Sequence, residues 1–371
     1  MSLAPLGSRL QIAFWWFAWS VMALPWTLAF RWVPGNARSV PRDGPLLLLA
    51  NHSSAFDPVW IAFWLFRRSS FMASSGLFRV PVLAQLLPLC GCFPKTKFVK
   101  DRDSMRTLAE RYEAGDIIVL FPEGKRTFDG RTGDVLPGIG RLVKRIDARV
   151  VTARILNGHL FHPRWARYPR WVPVRVKYAA VRTWEDAATP EQINDDISTA
   201  IRINPEEPPE GLISIGFRMA EGLPDYLWAC PSCFAPDGLK AHGNHVTCQS
   251  CTVRWTLDTR NRMNGEQAMW VHEAFDRIAA HFEGADLSGA ATLYQIKGKQ
   301  QERLAHGTAS LSAEGLTVDA LTLPLPELRA VSVELQNRLT FRRGDVLLEL
   351  VPVGQSPLKW AHFLRWHLSA C

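Results

Sequence analysis

Four consecutive leucines, Leu46 to Leu49, run directly into an Asn-His turn, and this stretch restricts the fold more than any other in the chain. A short, uninterrupted apolar run is typical of a strand buried on both faces, as in a parallel sheet covered by helices. Asp57 and Pro58 follow, a pair typical of an N-cap and the first residue of a helix. The stretch therefore predicts a strand, a tight turn and a capped helix. His52 would lie at the carboxyl end of the strand, where open α/β sheets bind ligands.

The same alternation continues along the first half of the chain. The pattern predicts a helix at 103–115, a buried strand at 116–121 and a third strand at 148–156. Strand, helix and strand in this order predict a largely parallel sheet. Pro122 ends the second strand, and the turn after it carries Glu123, Gly124, Lys125 and Arg126. A guanidinium beside an ammonium and a glycine amide can bind a phosphate.

The amino-terminal region predicts membrane attachment. From Leu10 to Phe30 there are 21 residues without a charge. This is long enough to span a bilayer core, although Pro25 could divide it into a hairpin in one leaflet. A cleaved signal peptide is the alternative, but no small-x-small cleavage site follows the apolar stretch. Three arginines flank its carboxyl side and one its amino side, which favours a protein body on the cytoplasmic face of the inner membrane. We predict a membrane-anchoring segment at 1–34.

Charge is distributed unevenly between the two halves of the chain. Residues 1–178 carry 26 Lys and Arg against 11 Asp and Glu, a balance of +15, while residues 179–371 carry 17 against 24, a balance of −7. A basic half predicts an anionic partner such as phospholipid head groups, phosphorylated substrates or nucleic acid. Of the 15 tryptophans, seven lie in the first third of the chain and two in the last predicted helix. This favours membrane lipids as partners and argues against nucleic acid.

The turn after Leu49, followed later in the chain by the turn after Phe121, makes the sequence resemble the glycerol-phosphate and lysophosphatidate acyltransferase family. The segment NHSSAFD is similar to the first block of that family, and FPEGKR is similar to its third. Between them, Leu77 to Lys97 is similar to the second block, with Lys97 where the family usually has arginine. The fourth block departs, because RVVTARI has Arg149 and Thr152 where the family commonly places prolines. The resemblance covers about residues 30–205.

This resemblance implies an O-acyltransferase of phospholipid biosynthesis. It would move a fatty acyl group from acyl-CoA or acyl-carrier protein to a lysophospholipid acceptor, most directly 1-acyl-glycerol-3-phosphate. His52 would be the general base, and Asp57 would fix its tautomer. The resemblance also implies substrate-binding residues, with the acceptor phosphate held mainly by arginine and lysine: Asn51, Lys97, Glu123, Gly124, Lys125 and Arg126. Another acceptor, for example a lyso-aminolipid, stays open because lysine at 97 lacks the bidentate geometry of arginine.

The second half of the chain begins after a proline- and glutamate-rich linker at 206–226. Two C-x2-C pairs separated by fourteen residues follow it, formed by Cys230, Cys233, Cys248 and Cys251. Four thiolates can close a tetrahedral structural zinc site, so the spacing predicts a zinc ribbon at 227–256. Two disulfides are the alternative, which a reducing cytoplasm disfavours. A non-catalytic lipid-binding or nucleic-acid-binding ribbon protein is the rival function, but the ribbon segment itself is not conspicuously basic.

The sequence predicts a connecting helix at 257–285 and a small β-rich domain at 286–371 that ends in an amphipathic helix capped by Ser356. Strands followed by such a helix resemble the pleckstrin-homology-like and GRAM-like sandwich, which implies a lipid-sensing module; a generic small β domain is the alternative that stays open. The predicted fold class thus combines four parts. They are an N-terminal membrane helix or hairpin, an α/β acyltransferase domain at 35–205 with a mostly parallel sheet, a four-cysteine zinc ribbon, and a β-rich terminal domain.

Overall fold

The computed structural model describes residues 17, 21, 35–95, 101–206, 214–298, 300–334 and 338–370. Two compact units divide the chain: Met1–Arg164 with Pro169–Gly216, and Phe217–Cys371 with Trp165–Tyr168. Nearly all of the predicted anchoring segment, Lys97 and residues 207–213 of the predicted linker lie outside the described residues. Among the residues described, no helix has the length and apolar character needed to cross a membrane.

The sheet of the first unit contains six strands: β1 (Leu46–Ala50), β2 (Ser69–Ser74), β3 (Cys92–Lys95), β4 (Ile117–Leu120), β5 (Val150–Leu156) and β6 (Arg175–Tyr178). Their order across the sheet is β3-β2-β4-β1-β5-β6. β1 is central and pairs in parallel with both β4 and β5. β2 pairs in parallel with β3 and β4, and of the six β6 alone runs antiparallel to its neighbour. The mostly parallel sheet predicted from the sequence is confirmed.

Helices cover both faces of this sheet: α1 (Asp57–Ala62), α2 (Pro81–Leu89), α3 (Arg102–Glu113), α4 (Gly138–Arg145), α5 (Gly158–Phe161) and α6 (Pro190–Ile201). Leu46 and Leu48 of β1 pack in one core with Trp60 of α1. Leu47 and Leu49 pack in the other, with side chains of α3, α4 and α6. We call these sides the α1 face and the α3 face. Burial on both sides explains the uninterrupted leucine run.

The turn after β1 differs from the predicted cap. Helix α1 begins at Asp57 itself, and Phe56 occupies the N-cap position. The Asp57 carboxylate accepts hydrogen bonds from the N–H groups of Ser53 and Ser54, which precede the helix. The prediction that Asp57 caps the helix is therefore wrong. Its carboxylate instead stabilises the turn that carries His52.

The second unit starts with α7 (Leu223–Tyr226), which lies inside the segment predicted as linker and buries Leu223 and Tyr226. An antiparallel sheet of order β11-β10-β9-β8-β7 follows, made of β7 (Leu239–His242), β8 (His245–Cys248), β9 (Arg254–Leu257), β10 (Arg262–Asn264) and β11 (Met269–Trp270). The helix predicted at 257–285 begins only at Val271, as α8 (Val271–His281). The short strands β10 and β11 occupy the preceding residues and extend the ribbon sheet.

Seven strands form the last sheet: β12 (Leu287–Lys297), β13 (Gln300–Ser312), β14 (Gly315–Val318), β15 (Leu321–Pro324), β16 (Leu328–Glu334), β17 (Arg338–Arg343) and β18 (Val346–Pro352). Their order is β15-β14-β13-β12-β18-β17-β16, with antiparallel neighbours. Helix α9 (Pro357–Ala370) follows and buries Trp360 and Leu364. The Ser356 hydroxyl accepts a hydrogen bond from the N–H of Leu358 at 3.2 Å. This agrees with the predicted β-rich domain; its pleckstrin-homology-like character stays a prediction.

Candidate active site and cysteine cluster

His52 and Asp57 meet at the carboxyl end of β1. Nδ1 of His52 lies 2.9 Å from Oδ2 of Asp57. The same oxygen accepts the N–H of Ser53 at 2.5 Å and that of Ser54 at 2.8 Å. The Asp57 side chain is fully buried, whereas 19% of the His52 side chain is exposed. Since a carboxylate can only accept, Nδ1 carries the imidazole proton, and Nε2 is the nitrogen left for a substrate.

The backbone of His52 is bonded to the turn that follows β4. Its N–H donates to Oε1 of Glu123 at 2.7 Å, and its carbonyl accepts the N–H of Thr127 at 2.9 Å. The imidazole stacks on the Phe121 ring, with centroids 3.9 Å apart and planes inclined by 13°. The two turns singled out in the sequence are therefore joined at His52, because their strands are neighbours in the sheet.

Glu123 links three pieces of backbone. While Oε1 accepts from His52, Oε2 accepts the N–H of Gly133 at 2.6 Å. The residue is only 4% exposed. Burial raises the pKa of this carboxyl to about 7, and the hydrogen bonds from Gly133 and His52 oppose the rise. Since both oxygens are bonded to the backbone, Glu123 positions the histidine turn.

Asn51 also has a structural role. It is 3% exposed. Its Oδ1 accepts the N–H of Ile155 at 2.7 Å, and its Nδ2 donates to the carbonyl of the same residue at 3.3 Å. The side chain thus clamps the ends of β1 and β5 together. Because both amide atoms are bonded in this way, we assign Asn51 to scaffolding instead of the substrate contact implied by the resemblance.

The remainder of the β4 turn has a fixed backbone and a basic surface. Gly124 has φ +66°, and a Cβ at this position would come within 2.7 Å of Leu136 Cδ1. Lys125 is exposed and Arg126 is half-buried. Burial lowers the pKa of the Arg126 guanidinium, while the negative charge of Asp57 opposes that shift. Arg126 thus lies in the electrostatic field of the histidine-aspartate pair.

Sequence reasoning missed Arg164, a second guanidinium beside this turn. It is 7% exposed. Its Nη1 donates to the carbonyl of Arg126 at 3.0 Å, and its guanidinium carbon lies 4.1 Å from the centroid of the Phe128 ring. The contacts hold the β4 turn in place and bring a buried positive charge to the site. The local sequence RWARYPRW contains three arginines, and nothing in the pattern distinguishes this one.

The charges around His52 determine its protonation state. Burial is the largest cause that lowers the pKa of His52. The hydrogen bond to Asp57 and the charge of that carboxylate raise the pKa, while the positive charges of Arg126 and Arg164 lower it further. The net direction is downward, so the imidazole is neutral near pH 7 and can accept a proton.

Four cysteine side chains cluster in the second unit, as predicted. All four Sγ atoms lie within 4.8 Å of one another. Sγ of Cys230 is 3.8 Å from that of Cys251, and Sγ of Cys233 is 3.7 Å from that of Cys248. Zinc–sulfur bonds of about 2.3 Å at tetrahedral angles put sulfur atoms about 3.8 Å apart. A disulfide needs about 2.05 Å. The cluster fits a metal and does not fit the alternative of two disulfides.

Backbone N–H groups support two of these thiols in the same way. Ser232 donates to Sγ of Cys230 and Ser250 donates to Sγ of Cys248, each at 3.4 Å. In both cases the donor lies two residues after the cysteine, so the two C-x2-C loops have matching geometry. Such N–H contacts favour the thiolate form of a cysteine, which is the form that binds metal.

Parts of this chain are similar to known proteins. Residues 35–156 match the family model described as Acyltransferase. A chloroplastic 1-acyl-sn-glycerol-3-phosphate acyltransferase of Arabidopsis thaliana is 24% identical over 117 residues, which is 31% of this chain and 33% of that protein. A chloroplastic enzyme of Brassica napus with the same description is 25% identical over 117 residues, 31% of this chain and 34% of its own length. The chain thus spans about a third of these curated relatives.

Among solved structures, a 1-acyl-sn-glycerophosphate acyltransferase of Thermotoga maritima is 17% identical, with a TM-score of 0.41 over 52% of this chain and 76% of that one. Residues 35–156 thus contain a match to the acyltransferase family model, which agrees with the resemblance predicted from the two turns.

Proposed function

We propose that this protein is a membrane-associated O-acyltransferase that moves a fatty acyl group from an acyl thioester to the hydroxyl of a lysophospholipid. The proposed acceptor is 1-acyl-glycerol-3-phosphate, and the donor is acyl-CoA or acyl-carrier protein. The observation that carries this proposal is the His52–Asp57 pair. Its Nδ1 is bonded to a buried carboxylate, and Nε2 remains for a hydroxyl at a partly exposed surface.

The chemistry follows from this arrangement. Nε2 of His52 accepts the proton of the acceptor hydroxyl while its oxygen attacks the thioester carbonyl carbon. Asp57 stabilises the imidazolium that forms. The tetrahedral intermediate then collapses, the carbon–sulfur bond breaks, and the imidazolium returns its proton to the leaving thiolate. The products are the acylated lipid and a free thiol, and the protein forms no covalent intermediate.

Positive side chains near His52 support a phosphate-bearing acceptor. We assign Arg126 to the phosphate directly and Arg164 to the position and charge of the turn that carries it, on the contacts described above. Lys125 and Lys97 are proposed to add positive charge, Lys97 from outside the described residues. Arginine suits a phosphate because its donors form a planar fork.

The cysteine cluster is proposed to hold a structural zinc ion. Four thiolates complete a tetrahedral shell and leave no position for a water or a thioester oxygen. The cluster lies in the second unit, while His52 lies in the first. We therefore assign the metal to the folding of the ribbon and give it no step in acyl transfer.

A lipid product assay tests the function. Membranes carrying the protein are given an acyl thioester and a panel of lysolipids, and mass spectrometry identifies the products. Membranes without the protein are the control. We expect phosphatidate from lysophosphatidate as the main product. A lyso-aminolipid acylated in its place would change the acceptor but keep the enzyme class. Thioester hydrolysis without any acylated lipid would contradict the proposal.

A further inference from the structure

Helix α2 differs from every other described α-helix of the first unit, because it buries none of its residues. Its sequence, PVLAQLLPL, has no charge and a single polar residue, Gln85. Val82 is 65% exposed, Leu86 is 44% exposed, and Val80, just before the helix, is 39% exposed. A surface helix normally presents polar side chains to water. An apolar helix on the surface therefore indicates a contact with something apolar.

The opposite side of the sheet shows what an ordinary surface looks like in this unit. On the α3 face, helix α3 buries Ser104, Leu108 and Tyr112 and presents charged residues outward. The exposed members are Arg102, Asp103, Arg106, Glu110 and Glu113. Helix α3 thus exposes charged side chains where α2 exposes apolar ones.

Other features of the α1 face extend the apolar surface. Phe66, in the loop after α1, is 57% exposed, and Val59 of α1 is 38% exposed. Ala37 and Val40 pack in the core on this side, to which Leu87 of α2 also contributes. The chain that follows the uncharged stretch at 10–30 therefore enters the fold on the same face as α2.

Positively charged residues adjoin these segments in the chain. Arg79 directly precedes Val80, and Arg38 and Arg42, near the point of entry, are exposed. This is the charge distribution that an anionic lipid surface attracts. The nine residues of α2 extend about 13 Å. That length is far short of the roughly 30 Å hydrocarbon core, so the helix can lie in the membrane interface but cannot cross it.

We propose that Val80 and helix α2 form a second membrane contact, which inserts its apolar side chains below the head groups of an anionic bilayer. The inference rests on the proposed function, because it places the enzyme on the membrane that holds its acceptor. A bilayer suits this face better than the chain's own 10–30 stretch. That stretch is uncharged throughout, and packing it on α2 would leave its other side apolar and exposed.

Hydrogen exchange and vesicle flotation of the full chain test this contact. The vesicles contain phosphatidylcholine, with or without phosphatidylglycerol. Some amides of 80–89 are already hydrogen-bonded within the helix. We expect exchange in this segment to become slower when phosphatidylglycerol vesicles are added than it is in solution. The double variant Val82→Glu, Leu86→Glu should bind these vesicles at least ~10-fold more weakly, because charges replace buried apolar area. If the double glutamate variant does not fold, the double serine variant Val82→Ser, Leu86→Ser is used in its place.

The control is Ala114→Glu. Ala114 is exposed and ends α3 on the opposite face of the sheet, so the charge added there should leave vesicle binding unchanged. Acyl transfer to a dispersed, short-chain lysophosphatidate separates this inference from the proposed function. We expect the double variant to keep that activity. Three results would overturn the inference: unchanged vesicle binding by the double variant, exchange at 80–89 that phosphatidylglycerol vesicles do not slow, or an equal loss in the control. Absence of acyl transfer by the wild type would instead contradict the proposed function.

Discussion

The His52–Asp57 pair and the cysteine cluster both lie on tight loops, but they differ in what completes the bonding of their reactive groups. At His52 the protein itself supplies the bonds: the Asp57 carboxylate holds Nδ1, and Glu123 and Thr127 hold the backbone. One nitrogen remains open to a substrate. At the cysteines the protein supplies four sulfur atoms at metal-binding distances and leaves the central connection to an ion. A metal there would have a complete shell.

This difference is the reason why we propose chemistry at the His52–Asp57 pair and stabilisation of the fold at the cysteines. An open nitrogen with a fixed tautomer, in a neutral state near pH 7, is suited to proton transfer. A closed shell of four thiolates is suited to holding a small domain together, since such ribbons fold largely through their metal. Substitutions at the two sites should therefore affect acyl transfer to very different extents.

Asp57→Asn should have the largest of these effects. The amide cannot stabilise an imidazolium as a carboxylate does, and it can present N–H to Nδ1 and select the wrong tautomer. We expect acyl transfer to fall on the order of 10²- to 10⁴-fold. Ser53→Ala is the matched control, because it removes only a 3.4 Å contact to the same carboxylate. A small loss in a folded Asp57→Asn protein, measured beside its circular dichroism spectrum, would argue against the pair.

Arg126→Ala should have the next largest effect, and it should be selective. A charge-assisted bond to phosphate contributes about 1.5 to 3 kcal/mol, so kcat/KM for lysophosphatidate should fall roughly 10- to 150-fold. Thioester hydrolysis by water should change much less, because water brings no phosphate. Initial rates of both reactions are compared in one preparation. Equal losses would move Arg126 to the donor or to scaffolding.

Arg164→Gln should change the pH dependence more than the maximum rate. The positive charge of Arg164 lowers the pKa of His52, so its removal should raise that pKa. A base must be deprotonated, and the acid limb of the kcat/KM profile should therefore move to higher pH, while the rate at alkaline pH changes little. Arg164→Lys keeps the charge and should keep the limb near its original position. An acid limb that does not move, or moves to lower pH, is the contrary result.

Cys248→Ser should have the smallest effect on acyl transfer and the largest on the second unit. Loss of one ligand should release zinc and lower the unfolding temperature of that unit. Elemental analysis and thermal unfolding measure both, with Cys90→Ser, outside the cluster, as the control. Wild type without stoichiometric zinc would disprove the site. A zinc-free variant that is folded yet inactive would disprove its structural role.

Local sequence predicted the two turns that meet at His52, because each turn directly follows a short apolar strand and the strand order brings neighbouring ends together. The cysteine cluster was predictable for the same reason, since each C-x2-C pair is local. Arg164 was not predictable. It reaches the site through a backbone hydrogen bond to Arg126, a contact 38 residues away in the chain, and no local pattern records such a contact.

Two other differences have physical causes. A helix was predicted throughout 257–285, whereas its first part contains the strands β10 and β11. These strands have three and two residues, which is too short for a period-two pattern to show in the sequence. Asn51 was assigned to substrate by resemblance, whereas its amide bonds the backbone of Ile155. An asparagine side chain can bind either a substrate or the backbone, and its neighbours in the fold determine which of the two it does. The exposure of α2 could not be predicted from the sequence, because an apolar run predicts burial against protein as readily as against lipid.

The central claim is that His52 is the general base, and His52→Ala tests it most directly. Acyl transfer from thioester to lysophosphatidate is measured for the wild type, for His52→Ala, and for His245→Ala, a histidine of the second unit bonded to Thr256. We expect His52→Ala to lose at least ~10²-fold in kcat while it stays folded and still binds the acceptor. His245→Ala should keep the wild-type rate. Turnover of folded His52→Ala within a few-fold of the wild type would contradict the claim.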